Sequence, residues 1–541
     1  MRVYVVVFLI LSSLYTPSIP NWLANDSEDS VDMMLHQYEL YEGSNVYSNM
    51  FRRIPSLEEH ECLYCSRNGY IEFRRSVIPS FPDMGYTFPL SMIDNTTVIE
   101  NKNVTFSNNI TVVDGGILII KHSNIFFSNS SALLCIRVLS GGNLTIIDSV
   151  LKPGDYLSYY CIIAEAGSMV SIRESRIDSG GDALSLSAVN IYTDNATILN
   201  TIFYDCWESI LVENSRGVFI CNNTLKISWA THVSIYNSTN ITLYGNKILC
   251  RITSGYTTIT IISDGISVHG CRDIQIRDCI FIYCEEAIDI TNSSDVELYG
   301  VSIENSEKAI RMRDSQGVAI VDSVVSMNDY GIVMSNSSEV NMTNIALIDD
   351  GLWIYEASSS QVESITINNV TNNNRPVVII KNQSSLMISD EYGQALLFFC
   401  SNVTITGGIR SLEIYQSDGI NIDRVEIEGN DYGLLSVKSD NVSLEGSVLH
   451  LVRVGVCFRN SSTLLVQDTF INATTPIETS WGYGITIINV TAISEYELSF
   501  SHVEGLDIRE LQSNNGIRIY YSCRVLLGCS SIHYIYMYNS S

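Results

Sequence analysis

The sequence predicts an all-β solenoid, in which short strands stack coil upon coil around a narrow apolar core. Three observations predict it. Segments of the chain resemble one another at a regular stride of about 22 residues, which is a repeat length found in solenoids. Within each segment apolar and polar residues alternate, which is the period of a strand with one buried face. Gly, Asn, Asp and Ser separate these runs, and helical spacing is absent over any useful length. A strand period within units and a longer fixed period between units are typical of solenoids.

The repeat is clearest in the middle of the chain. Three successive units are CRDIQIRDCIFIYCEEAIDITN (271–292), SSDVELYGVSIENSEKAIRMRD (293–314) and SQGVAIVDSVVSMNDYGIVMSN (315–336), and the stride returns at 417–438 and 439–460. Apolar residues share columns in these units, namely Ile274, Val296 and Val318; Ile276, Leu298 and Ile320; and Ile288, Ile310 and Ile332. We predict three short strands per coil and roughly 20 coils.

These coils resemble the right-handed parallel β-helix of the pectin-lyase-like superfamily, and in particular the short parallel β-helix repeats (PbH1) of NosD-like proteins. The resemblance covers about four-fifths of the chain, and it assigns residues 95–541 to the β-helix. It implies a fold and leaves the function open, because such helices host lyases, hydrolases, adhesins and scaffolds.

The residues before the repeat are predicted to serve export and capping. Residues 1–24 read as a secretory signal, with an uncleaved anchor as the alternative, because their apolar run of about a dozen residues is shorter than the ~20 that span a membrane. Residues 25–94 are assigned to an acidic linker and a small N-terminal cap, since an open solenoid end exposes unpaired strand groups. No later stretch is long and apolar enough to form a transmembrane domain. We therefore expect a secreted protein associated with the cell surface.

Composition excludes two classes of protein. The chain has 541 residues, 46% of them hydrophobic, which is enough to fill a large core and excludes intrinsic disorder. Its 31 Lys and Arg against 59 Asp and Glu give a net charge of −28. Phosphates repel such a chain, so nucleic acid is not an expected partner.

Sequons are frequent, and three of them fall at the last position of a repeat unit, where the chain turns on the surface: Asn292, Asn336 and Asn460. A glycan meets no steric conflict at such a corner. We predict N-glycosylation at these three positions.

A catalytic hypothesis centres on residues 264–313. The segment from Asp264 to Arg313 resembles the acidic motifs of polygalacturonase-type glycoside hydrolases, although Glu replaces two of the family's Asp residues. The resemblance implies Asp264 as the acid, Glu285 and Glu286 as base positions and Arg311 as a clamp for a substrate carboxylate, in a hydrolase or a lyase. The alternative is that acidic corners are an ordinary feature of the repeat, as at 181–184 and 430–434.

Two metal hypotheses follow from spacing. Glu285, Glu307 and Asp329 recur at the stride of the repeat, hence on one corner of successive coils, where they form either a calcium site or a solvated acidic edge neutralised by Lys308. We expect no required cofactor, and calcium is the one ion that this spacing suggests. Cys62 and Cys65 predict a local disulfide in an exported chain, with a soft-metal site as the alternative.

The sequence thus predicts an exported, N-glycosylated β-helix protein that serves cell-surface recognition, adhesion or structure and contacts carbohydrate. Its expected partners are a polysaccharide or cell-surface glycan and other cell-surface proteins. The alternative function is a polysaccharide-degrading enzyme with its site at 264–313. Aromatic candidates for sugar contact near coil corners are Trp207, Trp229, Tyr330, Tyr432 and Trp481.

Overall fold

The structure, a computed structural model, describes a long stack of β-coils. Described are residues 91–128, 133–155, 158–182, 186–250, 263–428, 432–528 and 531–540, together with the backbone of five short strands at 63–65, 71–73, 86–87, 252–254 and 257–259. The predicted signal (1–24) and most of the predicted linker and cap (25–94) lie outside the described residues. Within them the chain winds through about 19 turns of a parallel β-solenoid, which confirms the predicted fold class.

Residues 91–372 form the first of two stacks, here called the N-terminal solenoid. One wall is a 12-stranded sheet, here called wall 1. Its parallel strands are Met92–Ile93, Ile110–Val112, Leu134–Val138, Tyr160–Ala164, Val189–Ile191, Ile210–Glu213, Thr231–Tyr236, Asp264–His269, Glu286–Thr291, Lys308–Arg313, Tyr330–Ser335 and Leu352–Tyr355.

The other two walls of this stack are also parallel. The second contains Thr96–Glu100, Ile117–Lys121, Asn143–Ile147, Met169–Arg173, Thr197–Leu199, Phe219–Cys221, Thr239–Tyr244, Arg272–Arg277, Ser294–Tyr299 and Thr366–Asn372. The third contains Tyr86–Thr87, Asn103–Phe106, Asn124–Phe127, Val150–Pro153, Arg176–Asp178, Ile202–Cys206, Thr224–Ser228, Lys247–Leu249, Ile280–Ile282 and Ser302–Glu304. The strands Gln316–Ser326, Asn341–Ile348 and Thr366–Asn372 run through both walls.

Residues 375–540 form the second stack, the C-terminal solenoid. An eight-stranded wall contains Met387–Ile388, Ser401–Ile405, Asp418–Asp423, Asp440–Glu445, Ser462–Gln467, Tyr483–Ile488, Glu504–Arg509 and Cys523–Gly528. The remaining strands are Arg375–Lys381, Gln394–Phe398, Leu412–Tyr415, Glu426–Glu428, Tyr432–Val437, Val448–Arg459, Phe470–Ser480, Thr491–Ser494, Leu498–Ser501, Gln512–Ser513, Ile517–Tyr520 and Ile535–Tyr538.

Two antiparallel strand pairs and one helix depart from the parallel pattern, in addition to the hairpin that joins the two stacks. Leu63–Cys65 pairs antiparallel with Ile71–Phe73, and Ile252–Ser254 pairs antiparallel with Thr257–Ile259. A single short helix, Ser359–Ser364, occurs in the described part of the chain, and Ser358 caps it.

The sequence does not reveal the junction between the two solenoids. A hairpin reverses the chain, with Asn372 paired antiparallel to Arg375. The two residues between them, Asn373 and Asn374, both have positive φ (49° and 64°), as a two-residue type I′ turn requires. Two apolar cores result, one on each side of the strand Gln394–Phe398. Coils are shorter just after the junction, because Val377 is already paired with Gln394, a step of only 394 − 377 = 17 positions.

The flank of the C-terminal solenoid covers the end of the N-terminal one. Phe398 and Tyr415, on its strands, belong to the core of the N-terminal stack. Trp353 meets Tyr432 edge to face, with ring centroids 5.0 Å apart. Gln394 accepts a hydrogen bond from the Leu352 N–H (2.9 Å) and donates one to the Leu352 carbonyl (2.8 Å). The last N-terminal coil is therefore closed by apolar packing and by paired backbone groups.

Buried serines run along one inner corner of both solenoids. The N–H of Ser293 donates to Ser315 Oγ (3.2 Å), and that hydroxyl donates to the Arg313 carbonyl (2.8 Å). The same pattern links Ser417 to Ser439 at 3.2 Å and Ser439 to Ser461 at 3.0 Å. Each hydroxyl satisfies a turn N–H that no strand partner reaches, so the repeated Ser has a structural role.

Candidate functional site

The predicted catalytic residues lie together on wall 1. Asp264, Glu286 and Lys308 each begin a strand, and Glu286 is paired directly with Lys308 of the next coil. The Glu286 N–H donates to Asp264 Oδ1 at 3.3 Å. Glu285 precedes Glu286 at the corner, and Arg311 is paired with Asp289. Stacking of successive coils therefore gathers the four residues Asp264, Glu285, Glu286 and Arg311, which the sequence separates by up to 47 positions (311 − 264).

Ion pairs neutralise most of this cluster. Glu286 is buried and contacts two cations, Lys308 Nζ at 3.0 Å and the Arg311 guanidinium. Arg311 also donates two hydrogen bonds of 3.1 Å to the Asp289 carboxylate. The two groups assigned by the polygalacturonase resemblance to base and to clamp are thus already bonded to one another and to their neighbours. Of the two carboxyl groups Asp264 and Glu286, Asp264 is therefore the better candidate to donate or accept a proton.

The pKa of Asp264 supports that reading. Burial, followed by the negative charges of Glu286 and Glu285, raises the pKa of Asp264 from 3.8 to about 7. A carboxyl group with such a pKa is partly protonated at neutral pH and can donate a proton.

The three acidic residues of the predicted calcium site lie in one column of the stack. Consecutive coils place Glu285, Glu307 and Asp329 one above the other, since the N–H of each donates to the coil before it. Lys308 Nζ lies 3.5 Å from Glu307. Burial and the charge of Glu307 raise the pKa of Asp329, and Arg453 opposes that rise. In the described ranges no group of three or more His, Cys, Asp or Glu side chains could hold a metal ion.

The predicted glycosylation sites share one corner. Asn292, Asn336 and Asn460 are exposed, and each follows a strand with a positive φ of 46–49°. Asn favours this left-handed conformation more than most residues do. Asn237, another sequon residue, occupies the same corner at φ 46°. The structure therefore places all four side chains on the outer surface at equivalent turns.

Aromatic residues replace Asn at this corner in the last coils. We call Trp481, His502 and Tyr521 the aromatic corner. The N–H of Asn460 donates to Ser480, that of Trp481 to Ser501, and that of His502 to Tyr520, so the three rings follow Asn460 coil by coil. Their φ values are 56°, 55° and 49°.

The rings of the aromatic corner stack on one another. Trp481 and His502 are 4.0 Å apart between centroids at an interplanar angle of 14°, and His502 and Tyr521 are 5.0 Å apart at 20°. Trp481 remains 60% exposed and Tyr521 52%. His502 stacks on one face of the Trp481 indole. The other face is open and is directed toward Asn460, the equivalent corner residue of the preceding coil. Tyr483, 55% exposed, begins the strand beside Trp481.

Of the five aromatic candidates, only Trp481 is exposed. Tyr432 is buried, Tyr330 packs beside Arg453, and Trp229 donates from its indole nitrogen to Asp205 at 2.9 Å. Trp207 is half-buried. His502 and Tyr521 are not evident from the sequence, because the step between equivalent corners shortens from 502 − 481 = 21 positions to 521 − 502 = 19 and a fixed stride no longer aligns them.

Two further features lie apart from these groups. A cavity of about 660 Å³ is lined by Asn143, Met169, Tyr192, Asp194 and Asn195, among others, far along the chain from Asp264. For the predicted disulfide, Cys62 lies outside the described residues, and only the strand backbone is described for Cys65.

Comparison with known proteins identifies the class. The family model for a right-handed β-helix region matches residues 134–256 and 249–370. Together with the parallel walls, this match shows that the chain contains right-handed parallel β-helix repeats. No curated protein sequence matches it. In the part of the chain that the structure describes, no helix has the length and apolar character needed to cross a membrane.

Solved structures of similar architecture share little sequence with it. PfbA, a surface adhesin of Streptococcus pneumoniae, is 11% identical over 73% of this chain and 84% of its own, with a TM-score of 0.29. A mutant tailspike protein of E. coli bacteriophage HK620, solved with a hexasaccharide, is 10% identical over 79% and 71%, with a TM-score of 0.36. The ORF18 protein of Geobacillus virus E2 is 12% identical over 51% of this chain and 52% of its own length, with a TM-score of 0.24. Similarity at this level says nothing about function.

Proposed function

We propose that the protein is an exported, N-glycosylated β-helix protein of the cell surface that recognises carbohydrate through its aromatic corner. The observation that carries the proposal is the run of three stacked rings, Trp481, His502 and Tyr521, at consecutive turns with φ near 50°. At this corner the preceding coils of the same solenoid have Asn382, Phe399, Gln416, Lys438 and Asn460. A bulky ring in this conformation costs about 1–2 kcal/mol relative to the ordinary backbone regions. Strain of this kind clusters at functional sites, and exposed rings do not repay it by burial.

The exposed rings suit a sugar. The C–H face of a pyranose is weakly apolar and packs on an aromatic face, while its hydroxyl groups bond to polar neighbours and water. The open face of Trp481 and the nearby Tyr483 offer such a surface. The net charge of −28 disfavours polyanionic polysaccharides, and the cations beside the corner are already paired, as Arg459 is with Glu478 and Arg524 with Glu504. We therefore propose a neutral glycan as the partner.

Substitution by Asn tests this contact. Asn suits the left-handed conformation, so Trp481→Asn and Tyr521→Asn remove the rings without disturbing the turn. Binding of the full chain to an array of neutral glycans is expected to fall at least tenfold in both variants. The matched control is Tyr283→Asn, which removes a 39% exposed Tyr with φ 61° at a different corner. Equal binding by wild type and both variants would contradict the proposal.

Glycosylation has its own test. The intact mass of the chain secreted by a host capable of N-glycosylation should exceed the polypeptide mass. Asn292→Gln, Asn336→Gln and Asn460→Gln should each remove one glycan. A measured mass equal to that of the polypeptide alone would rule out this part of the proposal.

A second candidate function rests on Asp264. Its pKa near 7 is that of a general acid, and glycoside hydrolysis needs one beside a second carboxylate. Mass spectrometry of products from a polysaccharide panel, with and without Ca²⁺, tests it. Oligosaccharides released by wild type and lost in Asp264→Asn would favour an enzyme; no product from any polysaccharide would leave recognition as the function.

A further inference from the structure

Four cysteines of the N-terminal solenoid lie in two close pairs. Cys135 and Cys161 are partners in adjacent parallel strands of wall 1, and their sulfur atoms are 3.0 Å apart. Cys250 and Cys284 lie on consecutive coils, with 3.1 Å between their sulfur atoms. Adjacent strands hold their Cα atoms about 4.8 Å apart, within the 4.4–6.8 Å range that disulfides span.

Other cysteines in the same solenoid behave differently. Cys271 occupies a position where both neighbouring coils have Ser, whereas the neighbours of Cys279 are Asn246 and Val301. Each thiol points at a main-chain carbonyl at 3.3 Å, that of His269 and that of Arg277 respectively. The Ser238 N–H donates to Cys271 Sγ, as it would to a serine hydroxyl. Cys271 therefore takes the place of a buried serine hydroxyl. The two close pairs instead direct their sulfur atoms at each other.

We propose that Cys135–Cys161 and Cys250–Cys284 are disulfide bonds that fasten adjacent coils in the mature protein. The inference concerns the covalent structure and is independent of glycan contact. It relies on the proposed export only for the oxidising compartment in which such bonds persist.

The second bond would sit at the base of an inserted loop. Ile248 is paired with Phe281, a step of 281 − 248 = 33 positions, whereas Phe281 is paired with Ile303, a step of 303 − 281 = 22. The additional chain holds the antiparallel hairpin of Ile252–Ser254 with Thr257–Ile259. Cys250 immediately precedes this insertion. A bond to Cys284 on the following coil would tie the base of the insertion to the stack, in which the strands before and after the insertion are paired directly.

The chemistry is thiol–disulfide exchange with a low-molecular-weight disulfide such as glutathione disulfide. The Cys135 thiolate attacks one sulfur of the reagent, whose S–S bond breaks and releases one thiolate. The Cys161 thiolate then attacks the Cys135 sulfur of the mixed disulfide and displaces the second thiolate. The two cysteines lose two electrons to the reagent, and their two protons pass to the two released thiols.

The two pairs differ in accessibility. Cys135 is partly exposed, and the hydrogen bond from Cys161 lowers its pKa despite partial burial, which favours the attacking thiolate. Cys250 and Cys284 are buried. Burial disfavours the Cys250 thiolate, but the contact with Cys284 and the nearby His232 outweigh it and lower the pKa of Cys250 to about 5. A reagent reaches this pair only before the coils close, so its bond must form during folding.

Peptide mapping of the full chain tests the proposal. The chain is refolded in a glutathione redox buffer, alkylated under denaturing conditions without reduction, digested and analysed by mass spectrometry. We expect linked peptides joining Cys135 to Cys161 and Cys250 to Cys284, each bond lowering the mass by two hydrogens, and alkylated Cys271 and Cys279. Alkylated thiols at either pair, or links to other cysteines, would overturn the assignment of that pair.

Two variants test the specificity of each link, and a time course of oxidation compares their rates of formation. Cys135→Ser, at a partly exposed position, should leave Cys161 alkylated and the Cys250–Cys284 link intact. The control Cys271→Ser introduces the residue that both neighbouring coils have at this position, and it should leave both disulfide links unchanged. When reduced, folded chain is exposed to glutathione disulfide, the Cys135–Cys161 link should form at least tenfold faster than the other. Equal rates would contradict the burial argument. Because all these measurements use purified protein, they remain valid whether or not the protein is exported or binds glycans.

Discussion

The position of a residue in the coil fixes its backbone conformation and therefore favours certain residue types there. A positive φ occurs at the residue that follows each strand of wall 1 from Ile210–Glu213 onward, and at the equivalent residue in the C-terminal solenoid. This requirement explains Asn292, Asn336 and Asn460 without reference to function. The same requirement makes Trp481 and His502 informative, because the backbone disfavours them there.

Trp481→Asn separates stability from recognition. Asn relieves left-handed strain of about 1–2 kcal/mol but gives up the stack on His502, so the free energy of unfolding should change by no more than about 1 kcal/mol. Urea unfolding followed by circular dichroism measures it. A loss of more than about 3 kcal/mol would make the ring a structural element rather than a contact surface.

Asp264 gives the protein a defined pH response. Its pKa rises from 3.8 to about 7 on folding, so between these values the folded chain binds more protons than the unfolded one. Stability contributed by this group is present below about pH 4 and is lost as pH rises toward 7. The neighbouring groups whose charges take part are Glu286, Glu285, Cys250 and Arg311.

Asp264→Asn should therefore become more stable relative to wild type as pH rises from 4 to 8, by at most about 4 kcal/mol. Chemical unfolding at several pH values measures the difference. Asp273→Asn, at an exposed left-handed corner, is the control and should show little change. A difference between Asp264→Asn and wild type that stays constant over this range would show that the pKa of Asp264 is not raised.

At the scale of elements, the column of buried serines that includes Ser417, Ser439 and Ser461 links one coil to the next. Ser439 is buried, accepts from the Ser417 N–H and donates to the Val437 carbonyl (3.0 Å). Ser439→Ala would leave the Ser417 N–H without its partner, and we expect a loss of about 1–3 kcal/mol in the free energy of unfolding. Thermal and urea unfolding measure it, with the exposed Ser384→Ala as control. An effect equal to that of Ser384→Ala would mean that water replaces the hydroxyl.

Sequence reasoning works well for elements that repeat and poorly for those that interrupt the repeat. Alternation in the units from Cys271 to Asn336 predicts three strands per coil, because burial of one strand face imposes a period of two. The stacking of Glu285, Glu307 and Asp329 follows from the regular stride. The ion pairs of Glu286 with Lys308 and Arg311 depend on side-chain reach across coils, which spacing alone does not define.

At the scale of the whole described stack, the junction is the feature that spacing could not predict. Two Asn residues, Asn373 and Asn374, reverse the chain there, yet Asn is common throughout this sequence and marks ordinary corners as well. Phe398 and Tyr415 pack in the core of the N-terminal solenoid, while Leu397 and Ile414 of the same strands pack in the core of the C-terminal one. Strands that are buried on both faces lose the alternation that identifies a coil.

Gln394→Ala tests how the two solenoids are coupled. Gln394 is buried and bonds both to the N–H and to the carbonyl of Leu352. Without these bonds the Leu352 backbone loses its partners, and we expect the calorimetric unfolding of the chain to broaden or split into two transitions. Gln383→Ala, at an exposed position, is the control. A transition that shifts without broadening would indicate that apolar packing alone couples the solenoids.

The capped end of the N-terminal solenoid also bears on how this molecule can change in length over evolution. Duplication or deletion of a whole coil away from the junction restores the same neighbours and costs little. Between Leu352 and Gln394 the chain length is fixed at 394 − 352 = 42 positions, because the side-chain amide of Gln394 must reach the backbone N–H and carbonyl of Leu352. Variation in coil number among descendants of this chain should therefore accumulate on either side of that segment and spare it.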